Sequence, residues 1–266
     1  MSANPIVVAA TITKLPDCRG AVLVTGSHGG ALCGHLAIAA GVRAAIFHDA
    51  GGGLDRAGIA SLDLLGSFGI AAAAVGHYSC RIGDADDVMA RGRISHANPA
   101  AARLGVATGQ AAAEAAEILR QAELRAATTP GLVEARMVLD RPARPLVLID
   151  SASLVDAAVD RGAVIVTGSH GGLVGGKPEM ALRADGFAAV FNDAGIGIED
   201  AGIGRLKPLD QRGIAAFVVR ADSARIGEAR SSYDGIISVV NDTAARLGAV
   251  PGGKAAEVLE RWAAGS

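Results

Sequence analysis

The chain has 266 residues and carries 25 Lys and Arg against 27 Asp and Glu, a formal net charge of −2. That near-balance excludes any broad attraction for nucleic acid or for an anionic membrane surface. Half of the residues are hydrophobic but only 3% are aromatic, so the core must be assembled from Ala, Val, Ile and Leu.

In chain order, MSANPIVVAATITK lacks the basic flank and long apolar segment of a secretory leader, and IVVAAT within it is a strand candidate. AVLVTG, AAIFHD and IAAAAVG are further short apolar strands. AAAEAAEILRQA has the apolar stripe of a surface helix. TTPGLVEARMVLDRPARP has prolines and charge but little period and is expected to be a linker. The pattern then restarts: PLVLID, AVIVTG, FAAVFND and IAAFVVRAD are strands, SLVDAAVDRG is a helix candidate, and a helix is expected after the glycines of TGSHGG. GKAAEVLERWAA closes the chain as an amphipathic helix. No apolar run approaches the ~20 residues needed to cross a bilayer. Cys18, Cys33 and Cys80 form neither a CxxC pair nor a disulfide framework, so a cytoplasmic, reducing setting without a membrane partner is expected.

This restart is a duplication. AVLVTGSHGG returns as AVIVTGSHGG, FHDAGGG as FNDAGIG, SCRIG as SARIG, and GRISHANPAAARLG as GIISVVNDTAARLG, at a separation of about 142–144 residues. The expected fold is therefore α/β: two tandem Rossmann-like repeats with parallel sheets and approximate internal two-fold symmetry. The first repeat spans residues 1–122, the linker 123–145 and the second repeat 146–266.

All three doubled motifs follow predicted strands. In a parallel α/β sheet, ligands bind outside the carboxyl ends of the strands, where loops and helix N-termini converge. TGSHGG offers glycines able to adopt positive φ and let backbone amides approach a ligand, here Gly26, Gly29 and Gly30, with Gly171 and Gly172 in the second copy. It also offers Ser27 and His28, repeated as Ser169 and His170. The motif is neither a Walker A loop, nor a GxGxxG fingerprint, nor a GxSxG nucleophile elbow, so no cofactor is expected. Adjacent Ser and His on an extended strand end point in opposite directions, so they are not a dyad by adjacency alone. Asp49 and Asp193 are candidates to orient His28 and His170, or else to cap their own turns. Arg81 and Arg225 present planar forks for a carboxylate or phosphate, with Ser79 and Ser223 beside them.

Positions that differ between the copies add asymmetry. His48 becomes Asn192, which suggests that the copies no longer do the same job; a metal set of His28, His48 and Asp49 lacks any recognised ligand spacing. Lys177 and Asp222, which replace His35 and Tyr78, are further candidates for substrate contact. Ser95 and Ser238 are favoured over Asn98 and Asn241 as helix starts.

These residues suggest a cofactor-independent enzyme acting on a small anionic metabolite, foremost a hydrolase of an amide, lactam or ester. Ser27 or Ser169 would be the nucleophile, His28 or His170 the base and Asp49 or Asp193 its orienter. An isomerase, racemase or lyase with paired acid–base groups from the two repeats is an alternative, and a noncatalytic anion-binding protein another. Self-association into a homo-oligomer stays open.

Overall fold

A computed structural model describes residues 4–129 and 134–265; residues 1–3, residues 130–133 of the expected linker, and residue 266 lie outside the described residues. The first repeat runs β1 (Ile6–Ala9), β2 (Val22–His28), α1 (Ala31–Ala39), β3 (Ala44–His48), α2 (Ala60–Ser67), β4 (Ala71–Val75), α3 (Ala85–Arg91), β5 (Ile94–Ala97), α4 (Pro99–Arg103) and α5 (Ala112–Leu119). The second runs β6 (Arg136–Leu139), β7 (Leu146–Ile149), β8 (Val164–His170), β9 (Ala188–Asn192), α6 (Leu206–Gln211), β10 (Ala215–Val219), α7 (Ala229–Tyr233), β11 (Ile237–Val240), α8 (Asp242–Arg246) and α9 (Ala255–Ala264).

Two parallel-dominated sheets result, in the orders β1-β2-β3-β4-β5 and β11-β10-β9-β8-β7-β6, interleaved with helices as two tandem Rossmann-like units. β1 to β4 and β7 to β10 are parallel, while β5, β6 and β11 join antiparallel. Three features depart from the sequence expectation. β6 forms inside the 123–145 segment and extends the second sheet through Arg136↔Ile149. SLVDAAVDRG forms only a short 3₁₀ turn, Ala152–Leu154, followed by hydrogen-bonded turns. The helix expected after the second TGSHGG is replaced by two 3₁₀ turns, Val174–Gly176 and Pro178–Met180. Gly175 and Gly176 take left-handed φ values of 61° and 67°, and Pro178 removes an amide donor, so a helix cannot run through.

Strand side chains alternate between two apolar layers. Val22, Val24, Ile46, Ala73 and Val75 face α3, α4 and α5, whereas Leu23, Ala45, Phe47, Ala72 and Ala74 face α1 and α2. The second sheet repeats this, with α7, α8 and α9 on one face. On its other face α6 is joined by Ala181, Leu182 and Ala184, which stand where the first repeat has α1. The low aromatic content fits this packing: alanine strands let helices lie close.

Asn98 and Asn241 start α4 and α8, and Ser95 and Ser238 lie within β5 and β11, which reverses the expected helix starts. Asn98 Oδ1 accepts from the Ala72 and Ala101 amides at 3.1 and 2.9 Å, and its Nδ2 donates to Ile70 O at 2.9 Å. Asn241 repeats the pattern with Ala216, Ala244 and Ile214 at 3.0, 2.8 and 2.9 Å. One buried amide thus ties strand, turn and helix together in each repeat.

The repeats meet through their strand-end loops. Ala50, Ile82, Ala194 and Ile226 form a small shared apolar cluster. Leu54 N donates to Ala221 O and Ile198 N to His77 O, both at 2.8 Å, a symmetric pair of cross-repeat bonds. Gly51 and Gly195 face each other so closely that a Cβ on either would stand 3.0–3.1 Å from the other's Cα. Both also have left-handed φ, so glycine is required twice over.

Candidate functional site

β2 and β8 end on His28 and His170, and the two imidazoles meet across the junction with ring centroids 6.4 Å apart in an edge-to-face arrangement. They line a cleft of about 860 Å³, open mouth included, between the repeats. Ser27 and Ser169 share this cleft, as do Thr11, Lys14, Leu32 and Cys33 from the first repeat and Asp150, Ser151, Arg183 and Arg205 from the second. Each imidazole reaches toward the other repeat: His28 Cε1 lies near Gly227 and His170 Cε1 near Gly83.

The SHGG turn works by space rather than by left-handed backbone. Gly26, Gly29 and Gly30 are absent from the positive-φ residues, contrary to the sequence expectation. A Cβ on Gly30 would stand 2.6 Å from His28 Nδ1, so glycine is what lets the imidazole fold back over its own turn. Three of the amides expected to face a ligand are spent internally. Gly29 N donates to His48 O at 2.9 Å, Gly171 N to Asn192 O at 2.8 Å, and Gly30 N to His28 Nδ1 at 3.0 Å.

The last of these bonds fixes chemistry. With Nδ1 accepting from an amide, neutral His28 carries its proton on Nε2. Burial, assisted by His48, pushes its pKa down to about 4. His170 Nδ1 is buried without a hydrogen-bond partner among the described residues. Burial and then the Arg205 charge hold His170 well below the ordinary histidine range, while the neighbouring Gly172 backbone favours a proton on the ring. Both rings are therefore neutral at neutral pH, but only His28 is held in one tautomer.

Neither serine hydroxyl is hydrogen-bonded to an imidazole among the described residues. Ser27 Oγ accepts from the Ile12 amide at 3.0 Å and Ser169 Oγ from the Ala152 amide at 2.9 Å, tying down the 3₁₀ turns that follow β1 and β7. The anticipated His28–Asp49 and His170–Asp193 pairs do not form either. Asp49 accepts from the Gly51 and His77 amides at 3.0 and 2.9 Å and from His77 Nδ1 at 3.0 Å. Burial pushes its carboxyl up, but the His77 bond, the His48 and His77 rings and the Gly51 amide outweigh burial and hold it below the ordinary range. Asp193 accepts from the Gly195 and Ala221 amides, both at 2.9 Å. Both aspartates thus shape their own DAG turns, the capping role that competed with function in the sequence. Asp193 and Asp222 border a separate shallow depression with His77, Tyr78 and Arg220.

His48 and Asn192 hold one post. His48 Nδ1 accepts from the Ala50 amide at 3.1 Å while Nε2 meets Cys80 O at 3.2 Å. Asn192 Oδ1 accepts from the Ala194 amide at 2.9 Å while Nδ2 donates to Ala224 O at 3.0 Å. A neutral imidazole and an amide are interchangeable there, so this substitution does not mark a division of labour. Among the described residues no group of three or more His, Cys, Asp and Glu is placed to hold a metal ion, and His28, His48 and Asp49 do not form one.

Arg81 and Arg225 cross the junction to acids of the opposite repeat: Arg81 Nη1 to Glu199 at 2.9 Å, and Arg225 Nη2 to Asp55 at 2.6 Å. Asp55 and Glu199 each take left-handed φ, 52° and 55°, costly for residues other than glycine, to make this reach. Ser79 and Ser223 donate within their turns, to Gly76 O and Arg220 O. Lys177 is exposed between the two 3₁₀ turns and does not line the cleft, and Asp222 pairs with Arg220 at 2.6 Å.

Arg205 is the site residue that the sequence concealed. It stands at the position of Ser61 and is only 4% exposed. Its Nε donates to His170 O and Gly172 O at 3.2 and 3.0 Å, and its Nη1 to Met180 O at 2.9 Å and to Ala181 O. No carboxylate partners it among the described residues. Burial lowers its pKa to about 10, which still leaves it charged. The only available signal was a charged residue in AGIGRLKP where the first copy has AGIASLDL.

No protein-family model matches the chain, and no curated protein or solved structure is significantly similar to it.

Proposed function

We propose that the cleft is the acid–base site of a small-molecule enzyme acting on a small anionic metabolite by isomerisation, racemisation or elimination. The observation that carries this reading is the pair of neutral histidines, one from each repeat, facing each other 6.4 Å apart beside a buried arginine without a carboxylate. Proton transfer by positioned imidazoles is an effective use of such a pair. The serine-hydrolase alternative is less well supported, because Ser27 and Ser169 hold backbone amides and the Gly29, Gly30 and Gly171 amides are already bonded.

The two rings take different roles. His28, with Nδ1 occupied by the Gly30 amide, presents Nε2–H and serves as a hydrogen-bond donor to a substrate carbonyl or developing enolate. His170 has no such restraint and serves as the base. An anionic substrate group near Arg205 would offset the charge that disfavours protonated His170, so binding and base strength rise together. The first turn of α1, with Leu32 and Cys33 in the cleft wall, adds the positive end of a helix dipole.

Incubation of the protein with a panel of small 2-substituted carboxylates in D2O, followed by proton NMR, tests the reading. Solvent deuterium is expected at the carbon next to the carboxylate, with His170→Gln and His28→Gln each slowing exchange by about 10²–10⁴-fold. Undiminished exchange in both variants, or hydrolysis products without exchange, would replace this reading.

A further inference from the structure

We propose that the ligand of the cleft is a short dicarboxylate, held with one carboxylate at Arg205 and the other at the Lys14–Arg183 rim. This rests on the reading of the cleft as an anion site but goes beyond it in fixing two anionic ends and one direction of binding.

The charges around the cleft do not cancel within the protein. Lys14 comes from the turn after β1, Arg183 from the segment before β9, and Arg205 from the residue preceding α6. None of the three has a carboxylate partner among the described residues, whereas Arg81, Arg91 and Arg225 elsewhere at the junction are all ion-paired. The one acid in the cleft wall, Asp150, is committed: its two oxygens accept from the Ala135 and Ala229 amides at 2.8 and 2.9 Å. The nearby half-buried Glu134 has its carboxyl pushed up by burial, a shift that its Ser151 hydrogen bond opposes and Asp150 adds to; counted as ionised, it still leaves three cations against two acids.

The three cations differ in depth, one buried and two exposed. Arg205 is buried, with Nε and Nη1 spent on carbonyls and Nη2 making no hydrogen bond among the described residues. Lys14 and Arg183 are exposed. A buried guanidinium and two exposed cations, one from each repeat, match a ligand with a negative charge at each end. Ser61 in the first repeat supplies no second buried cation, so only one of the two pseudo-equivalent directions is favoured.

Calorimetric titration of the whole protein with malonate, succinate and glutarate, beside propionate, butyrate, valerate and inorganic phosphate, tests this. At least one diacid is expected to bind about tenfold more tightly than its monoacid partner, the scale of two exposed charge-assisted contacts. The Lys14→Ala, Arg183→Ala double variant should abolish most of that preference without weakening the monoacid, and Arg205→Lys should weaken both classes. Equal affinity of diacids and monoacids, a preference that survives the double variant, or phosphate binding more tightly than every diacid would overturn the proposal. Monoacids that bind and shift both the His28 and His170 ring resonances, with no diacid advantage, would sink this inference alone. Binding of no anion would sink it together with the anion-site reading.

Discussion

The two repeats use one plan with two kinds of substitution, and the difference between these kinds is instructive. At His48 and Asn192 the residues changed while their hydrogen bonds stayed the same, so the sequence overstated the divergence. At Ser61 and Arg205 the amides keep the same partner, Gly29 O and Gly171 O, each at 2.8 Å, yet the side chains differ completely. Ser61 Oγ is buried without a partner among the described residues, whereas Arg205 holds the turns that replace α1 and brings a charge beside His170. Symmetry therefore built the cleft, and one arginine broke its equivalence.

The largest effect expected from this comparison is a loss of stability in acid. An unfolded histidine titrates near 6.5, whereas His28 and His48 are lowered to about 4 and His170 further. Between those values the unfolded chain binds more protons, so stability is fully present above about pH 6.5 and falls as the pH drops toward 4. At about 1.4 kcal/mol per pH unit for each group, buried His48 and His170 cost on the order of 4 kcal/mol between pH 7 and 5, with a smaller share from partly exposed His28. Denaturant melts across this range check the slope; a flat profile would mean that the rings are not held neutral.

Next in size, Asn98→Ala and Asn241→Ala should each cost about 2–3 kcal/mol, because a buried cap and its strand bonds are lost together. Urea melts of the two variants should give similar values, and a large inequality would break the claimed equivalence of the repeats. Cross-repeat pairs matter less. Arg225→Ala should lower the melting temperature only slightly and less at high salt, since Arg225 and Asp55 are both about half exposed. The smallest change is expected for His48→Asn, within about 1 kcal/mol at pH 7, with part of the acid sensitivity removed. A collapse of the fold in that variant would show that imidazole and amide are not interchangeable there.

Much of the architecture was legible because the duplication located the same strand-end turns twice and the apolar runs were short. The antiparallel strands β5, β6 and β11 were not, since four-residue edge segments such as RMVL carry little period of their own. The serine helix starts failed for a tertiary reason: Asn98 and Asn241 bond to a strand and a turn distant in sequence as well as to their helices. Within the site, His28 and His170 were visible from their motif, but their meeting was not, because it depends on how the sheets face each other. Arg81 and Arg225 have the right chemistry for a ligand and are engaged by Glu199 and Asp55, whose left-handed backbone no local pattern announces. Arg205 was hidden for the converse reason, since its burial beside the cleft follows from a turn that replaces a helix.

The central claim is that His28 and His170 serve one ligand together. Ring Cε1–H resonances of all six histidines, followed at neutral pH while a short carboxylate is added, test it most directly. The account predicts that His28 and His170 shift in parallel with a single affinity, that Arg205→Lys weakens the response of both, and that His77 stays unmoved. A ligand that shifts His77 alone, or only one of the two cleft histidines, would contradict it.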